Sequence, residues 1–296
     1  MLNHIPDTLK IVDYIDDGEL ARHYQFQLVN IKNSSEKNSD KELQNNTAEH
    51  NWQDAQPGQF FMLNVPSIGE AAFTFTEPPN AKGEFRALIR QMGKLTSTLF
   101  TLPKGEILGA RGPFGRGWPL EKIAKQNIII IAGGCGLAPL VNLINGLTGN
   151  NPDNQADDSV ANQQVVLIYG AQNKQAQLLT TERNRWQQQI KIYSTLDEVD
   201  DQYTLGDNES QGTPIDIIDT ALASFTRPAT IALLCGPEIM MHSAAKQLVK
   251  NGIASDAIFL AIERRMHCGV GLCGHCYLNE HFVCKNGPTF SWQELP

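Results

Sequence analysis

The order of apolar and polar positions divides the chain into two regimes. Residues 9–12, 24–29, 59–65, 72–76, 85–91 and 107–111 are short strand-like runs separated by turn residues, which predicts an N-terminal antiparallel β-barrel. One short helix candidate, 95–101, interrupts them and is stopped by Pro103. Between the second and third runs, 33–56 is a polar tract rich in Asn, Ser, Glu and Lys, too hydrophilic to pack and read as a long loop. From residue 127 the pattern changes. Apolar strands at 128–132, 165–169, 190–194 and 230–234 alternate with helix-compatible sequence, the pattern of an α/β domain built on a parallel sheet. The polar stretches 150–164 and 198–212 read as surface loops of that domain. The expected division is 1–120 for the barrel, 121–256 for the α/β domain and 257–296 for a small C-terminal segment.

Composition narrows the function classes. A chain of 296 residues is ample for two cores and an appendage. The net charge of −8 argues against a nucleic-acid or anionic-membrane surface. No run is long enough to span a membrane, because the most apolar one, 128–141, is broken by Gly133, Gly134 and Gly136. Residues 1–19 have neither the positive flank nor the apolar stretch of a secretory signal, so a soluble cytoplasmic protein with reduced thiols is expected.

Four of the six cysteines change the picture most. Cys268, Cys273, Cys276 and Cys284 have the spacing C-x4-C-x2-C followed by a more distant Cys, which is the plant-type pattern for a 2Fe-2S cluster. Gly269, Gly271 and Gly274 lie between the ligands, where a tight wrap demands positive φ and backbone N–H groups must approach sulfur. A structural zinc site is the competing reading, with His267, His275 or His281 able to replace a thiolate. Zinc knuckles, however, usually come as two separated C-x2-C pairs. Disulfides are the weakest reading, since nothing else points to an oxidising compartment.

Two turns in the α/β domain suit a nucleotide. Gly133, Gly134 and Gly136 form a strand-to-helix turn ahead of Pro139, presenting orphan N–H groups and a helix dipole to phosphate. It departs from the G-x-G-x-x-G fingerprint at the last position, so a ligand-free tight connection stands equal to it on this motif alone. Cys235, Gly236 and Pro237 close the last strand, where open α/β sheets bind ligands, although a lone buried Cys is more often core filler. In the barrel, Phe73 and Thr74 at a strand end suit a flat ring, and Gly93, Lys94 and Thr96 open the short helix in a form that can hold phosphate oxygens. Each is weak alone.

In this order, with Pro57-Gly58-Gln59-Phe60, Gly112-Pro113-Phe114-Gly115 and Tyr169-Gly170-Ala171 between them, the motifs resemble the ferredoxin-NADP reductase superfamily over nearly the whole chain. The terminal cysteines resemble its branch of electron-transfer subunits, those of cytoplasmic NiFe hydrogenase (the sulfhydrogenase gamma subunit), anaerobic sulfite reductase and dihydroorotate dehydrogenase. The seven-residue gap before Cys284 is more like the first two, with hydrogenase preferred. The resemblance implies that the barrel binds FAD, with Phe73 flanking the isoalloxazine, Thr74 beside it, and Gly93, Lys94 and Thr96 on the pyrophosphate. It also implies that Gly133, Gly134, Gly136, Cys235, Gly236 and Pro237 meet the nicotinamide nucleotide. Where relatives have Arg-x-Tyr-Ser, this chain has Ala71-Ala72-Phe73-Thr74, so Arg90 or Lys94 must compensate for the missing arginine. Gln172 and Asn173 stand where relatives often have Arg, which leaves NAD versus NADP open.

The function expected is a relay from NAD(P)H through FAD and a 2Fe-2S cluster to catalytic subunits of a larger redox complex, with cofactors rather than side chains doing the redox chemistry. The competing readings are a non-catalytic adaptor stapled by zinc and a stand-alone reductase for a soluble acceptor.

Overall fold

The computed structural model describes residues 5–29, 51–149 and 163–295. Most of the 33–56 tract and of the 150–164 stretch therefore lies outside the described residues. The first sheet is six-stranded and antiparallel, in the order β4-β3-β6-β1-β2-β5. Its strands are β1 Asp7–Asp16, β2 Ala21–Leu28, β3 Phe60–Val65, β4 Gly69–Thr74, β5 Glu84–Arg90 and β6 Ile107–Phe114. Alternation drives them, as in β2, where Tyr24, Phe26 and Leu28 point inward. The barrel core is aromatic: Phe61 meets Phe75 and Phe85 with ring centroids 5.0 Å apart in both cases. Trp52 corrects the reading of 33–56 as unpacked throughout. The end of that tract forms a short 3-10 turn over Trp52–Asp54, with the indole buried beside Phe75 and Phe85 and its N–H donated to Asp7 at 2.8 Å.

The second sheet has seven strands in the order β10-β9-β8-β7-β11-β12-β15. All pairs are parallel except the last, between β12 (Ile258–Ala261) and β15 (Thr289–Ser291). At the centre, β7 (Ile128–Gly133) is buried on both faces, with Ile128 and Ile130 in one core and Ile129 and Ile131 in the other. That two-sided burial explains why its apolar run is continuous rather than alternating. Its neighbours are β8 (Val165–Ala171) and β11 (Ile231–Cys235); β9 is Lys191–Leu196. The edge strand β10 (Glu209–Gln211) corrects the reading of 198–212 as loop alone. It is three polar residues long, too short and hydrophilic to carry a strand signal.

The C-terminal segment is built onto the edge of the large sheet. β12 and β15 are strands of the large sheet, and the cysteines ride on the excursion between them. The excursion contains the two-stranded hairpin of β13 (Tyr277–Leu278) with β14 (His281–Phe282).

The barrel and the large sheet are joined beside His23. Its imidazole is 5% exposed, hydrogen-bonds Thr76 Oγ1 at 2.6 Å, and lies 3.6 Å from Glu182 on helix Thr180–Trp186. The carboxylate of Asp17 completes the group and accepts the Leu179 N–H at 2.8 Å. Burial, with the charge of Arg86, holds the His23 pKa down at about 4. Burial pushes the carboxyls of Asp17 and Glu182 up. Below about pH 6.5 the unfolded chain protonates its histidine while the folded chain cannot, so the His23 contribution is full above that pH and lost as pH falls toward 4. The span is worth roughly 3 kcal/mol, offset in part by the two carboxyls, whose shift has the opposite sign. Urea unfolding at pH 7 and pH 4.5 is expected to show a smaller acid loss in His23→Gln than in the parent chain; equal losses would refute this assignment.

Candidate functional site

The two strand-end turns of the large sheet interlock. A Cβ on Gly136 would stand 2.5 Å from the carbonyl carbon of Cys235 and 2.6 Å from the Gly236 nitrogen. A Cβ on Gly133 would strike Met240 and Pro237, and Gly236, at φ +148, lies against the Gly133 backbone. These glycines let the β7 turn pack directly on the β11 turn. Strands β8 and β11 flank β7 on opposite sides, so the contact lies where the strand order reverses, the place at which open α/β sheets bind ligands. Gly134, at φ +53, faces open space, leaving the crest of the turn free. The helix that follows, Ala138–Leu147, carries Pro139 in its first turn.

The barrel supplies the opposing wall. Arg90, at the end of β5, reaches the Cys135 thiol in the β7 turn, partly offsetting the upward push of burial on that thiol. Burial also drives the Cys235 thiol well up, with Glu263 and Cys135 adding to it. Neither thiol is a ready nucleophile. Glu263, just after β12, is exposed as a residue, yet desolvation of its carboxyl raises its pKa. Phe73 is half-buried on β4 with its ring 6.3 Å from that of Phe61, and Thr74 donates its hydroxyl to Gln59 O at 3.1 Å. Gly93 and Lys94 are exposed at the start of helix Lys94–Leu99. The Thr96 hydroxyl closes the first turn of that helix. It accepts the N–H groups of Met92 and Gly93 at 2.9 and 3.0 Å.

The four expected metal ligands share one loop. Cys276 and Cys284 are buried, Cys268 is half-buried and Cys273 is exposed. Gly269, Gly271 and Gly274 all have positive φ, between +76 and +78, as the tight wrap requires. Backbone amides are aimed at sulfur: Gly271 N–H at Cys284 Sγ (3.1 Å), Leu272 N–H at Cys268 Sγ (3.3 Å) and Val270 and Cys273 N–H at Cys268 Sγ (3.5 Å each). Burial alone would raise the Cys268 thiol, but the amides of Val270, Cys273 and Leu272 outweigh it and bring it to about 6. Burial and the neighbouring Cys276 push Cys284 up to about 12.

Cys273 is the side-chain neighbour of the Cys268 thiol and Cys276 that of Cys284, and the charge of Cys268 also reaches Cys284. Among the described residues, the three-ligand group lying within 4.8 Å is Asp17, His23 and Glu182, and no such group is formed by the cysteines. One zinc ion draws its four ligands to a single point, whereas a 2Fe-2S centre spreads the same four thiolates over two metal atoms. The loop therefore fits a binuclear iron-sulfur centre.

Comparison with known proteins agrees. Residues 263–296 match the iron-sulfur cluster binding domain of dihydroorotate dehydrogenase B, and residues 130–246 match the oxidoreductase NAD-binding domain. The chain is 31% identical over 239 residues to a probable dihydroorotate dehydrogenase B (NAD(+)), electron transfer subunit, from Pyrococcus abyssi, covering 81% of this chain and 80% of that one. It belongs to the family of these electron-transfer subunits. Sulfhydrogenase 2 subunit gamma of Pyrococcus furiosus is 28% identical over 291 residues, covering 93% of this chain and 96% of that one. Among solved structures, the NADH-dependent reduced ferredoxin-NADP oxidoreductase shares the fold, with a TM-score of 0.72 at 20% identity over 97% of this chain and 89% of that one. No helix among the described residues is long and apolar enough to cross a membrane.

No sequence signal marks Arg111 and Glu70, because isolated charges in strand sequence carry no motif and only the fold brings them to the cluster loop. The interlock of the two turns yields a direct prediction. Gly136→Ala is expected to destabilise the fold by about 1–3 kcal/mol and to weaken NAD(P)H binding, read by thermal melting and nucleotide titration; an unchanged melting temperature would refute the close packing.

Proposed function

We propose that this chain takes electrons from NADH and delivers them singly, through FAD in the barrel and a 2Fe-2S cluster in the C-terminal loop, to a hydrogenase-type catalytic subunit. The observation that carries the reading is one loop holding four thiols with backbone amides directed at sulfur, on a fold whose nucleotide turns meet at the sheet's switch point. When bound, the cofactors supply the conversion of a hydride's electron pair into single electrons, which nicotinamide alone cannot perform.

The protein's own residues do the rest. Gly134 and its neighbours leave backbone N–H groups open to a pyrophosphate, and buried Cys235 supports a ring without offering a charge. Arg90 supports the compensating role for the missing arginine, since it already spans from barrel to nucleotide turn. Amide donors stabilise the negative sulfurs of the cluster loop.

The choice of NADH rests on the end of β9. Asp197 donates its backbone N–H to Ala171 O at 3.1 Å, and Glu198 to Gln172 O at 2.8 Å, beside the strand end that follows the pyrophosphate turn. Asp197, Glu198, Asp200 and Asp201 make this edge acidic. Lys174 is turned to Glu209 at 3.7 Å and to the Tyr203 ring. A 2′-phosphate would meet like charge there, whereas a ribose hydroxyl can be accepted by a carboxylate.

The hydrogenase-type partner is favoured by the seven-residue spacing before Cys284 and by the near-full-length match to a sulfhydrogenase gamma subunit. A dihydroorotate dehydrogenase partner is the second reading, favoured by the match over residues 263–296.

The purified chain is expected to contain flavin and about two iron atoms and two sulfides per polypeptide, and zinc without flavin would refute the relay. NADH is expected to reduce an artificial acceptor with a lower KM than NADPH; the reverse preference would refute the reading of the acidic edge. Reconstitution with hydrogenase or dihydroorotate dehydrogenase catalytic chains, followed by hydrogen- or dihydroorotate-driven NAD+ reduction, decides the partner.

A further inference from the structure

Arg111 lies on β6 of the barrel, is 8% exposed, and spends its guanidinium on two tasks. Toward β4 it forms a two-pronged pair with Glu70, Nε to Oε1 at 3.0 Å and Nη2 to Oε2 at 2.6 Å. Toward the cluster loop it donates Nη1–H to the carbonyl of Cys268 at 3.0 Å and Nη2–H to the carbonyl of His267 at 3.2 Å. We infer that Arg111 is a positioning residue for electron transfer, fixing the first cluster ligand against the strand that carries Phe73. This rests on the relay proposed above.

The geometry makes the carbonyl contact more than a general brace. A peptide's C=O and N–H point in opposite directions, so holding the Cys268 carbonyl toward the barrel sets the plane of the peptide that opens the loop. The next residue, Gly269, at φ +76, lies against Phe114 and Met62, where a Cβ would be 3.0 Å from the Phe114 ring. The amides of Val270, Leu272 and Cys273 then fall in line with Cys268 Sγ.

On β4, Glu70, Ala72 and Thr74 share one face, and Ala72 packs in the same core as Cys268 and Val270. Phe73 follows Ala72. A continuous rigid connection therefore runs from Phe73 through β4 and the Glu70–Arg111 pair to Cys268. A buried pair is a costly way to gain stability but a good way to fix geometry, because a planar guanidinium bridges a carboxylate and two carbonyls in one orientation only.

The test uses the full chain loaded with flavin and iron, in three variants: Arg111→Met, Arg111→Lys and the double change Arg111→Met with Glu70→Met. Two readouts are taken. One is the cluster's midpoint potential from an EPR-monitored redox titration; the other is the rate at which NADH bleaches the cluster's visible band, relative to the rate of artificial-acceptor reduction. In Arg111→Met the unpaired Glu70 carboxylate beside the loop is expected to lower the potential, since an added electron meets like charge. The relative rate is expected to fall about tenfold or more, the usual cost of losing a residue that orients a metal ligand. The double variant is expected to regain the parent potential and keep the slow rate, because the carbonyl tether is still absent.

Arg111→Lys keeps the charge but cannot span both carbonyls, and is expected to keep the potential while losing rate. It decides the matter if Arg111→Met fails to hold iron. Variants that relay at the parent rate overturn the inference alone. A parent chain that holds no iron, or whose iron NADH does not reduce, overturns the relay on which it rests.

Discussion

The cluster loop depends on being closed at its base. A flexible stretch carrying four thiols would have to meet the entropy of closure before it could surround an inorganic centre. Here β12 and β15 meet that cost by pairing antiparallel, Phe259 with Ser291, Leu260 with Phe290 and Ala261 with Thr289. The pairing uses the large sheet as the foundation of the metal site. Two further contacts fix the loop and its base to the barrel: Arg111, donating to the carbonyls of Cys268 and His267, on one side, and on the other the Thr289 hydroxyl, donated to Gly117 O at 2.6 Å. The nucleotide turns, barrel and cysteines thus share a single framework, and the position of each sets that of the others.

This framework separates the two metal readings physically. A zinc staple requires four ligands to converge on one point, and its main effect would be to hold the loop together. The loop already has its base strands, its hairpin and its ties to the barrel, and its backbone amides are directed at sulfur. The arrangement is suited to spreading negative charge over a larger centre. Exposed Cys273 and Leu272, the latter 69% exposed, put one edge of that centre at the surface.

Much of this was legible in the residues. The barrel strands follow from alternation, as in Tyr24, Phe26 and Leu28, and β7 from a continuous isoleucine run buried on both faces. The cysteine spacing and its glycines announced the cluster loop, because metal ligation and positive φ each demand particular residue types. What was not legible depends on distant strands meeting. β15 is Thr-Phe-Ser and β10 is Glu-Ser-Gln, sequences without a strand signal that are recruited by a sheet edge. Arg111 is separated from Cys268 by more than half the chain, so no local pattern links them. The capping role of Thr96 was not legible either, since a hydroxyl that suits phosphate also suits a cap, and here it accepts the N–H groups of Met92 and Gly93.

The central claim is that electrons entering from a nicotinamide nucleotide leave through the C-terminal loop. The most direct measurement is an EPR spectrum of the anaerobic, full-length protein taken immediately after addition of NADH. The account predicts that a paramagnetic signal of a reduced binuclear iron-sulfur centre grows in as NADH is consumed. A protein that oxidises NADH with an artificial acceptor but whose iron stays oxidised, or one in which the four thiols hold zinc, would contradict it.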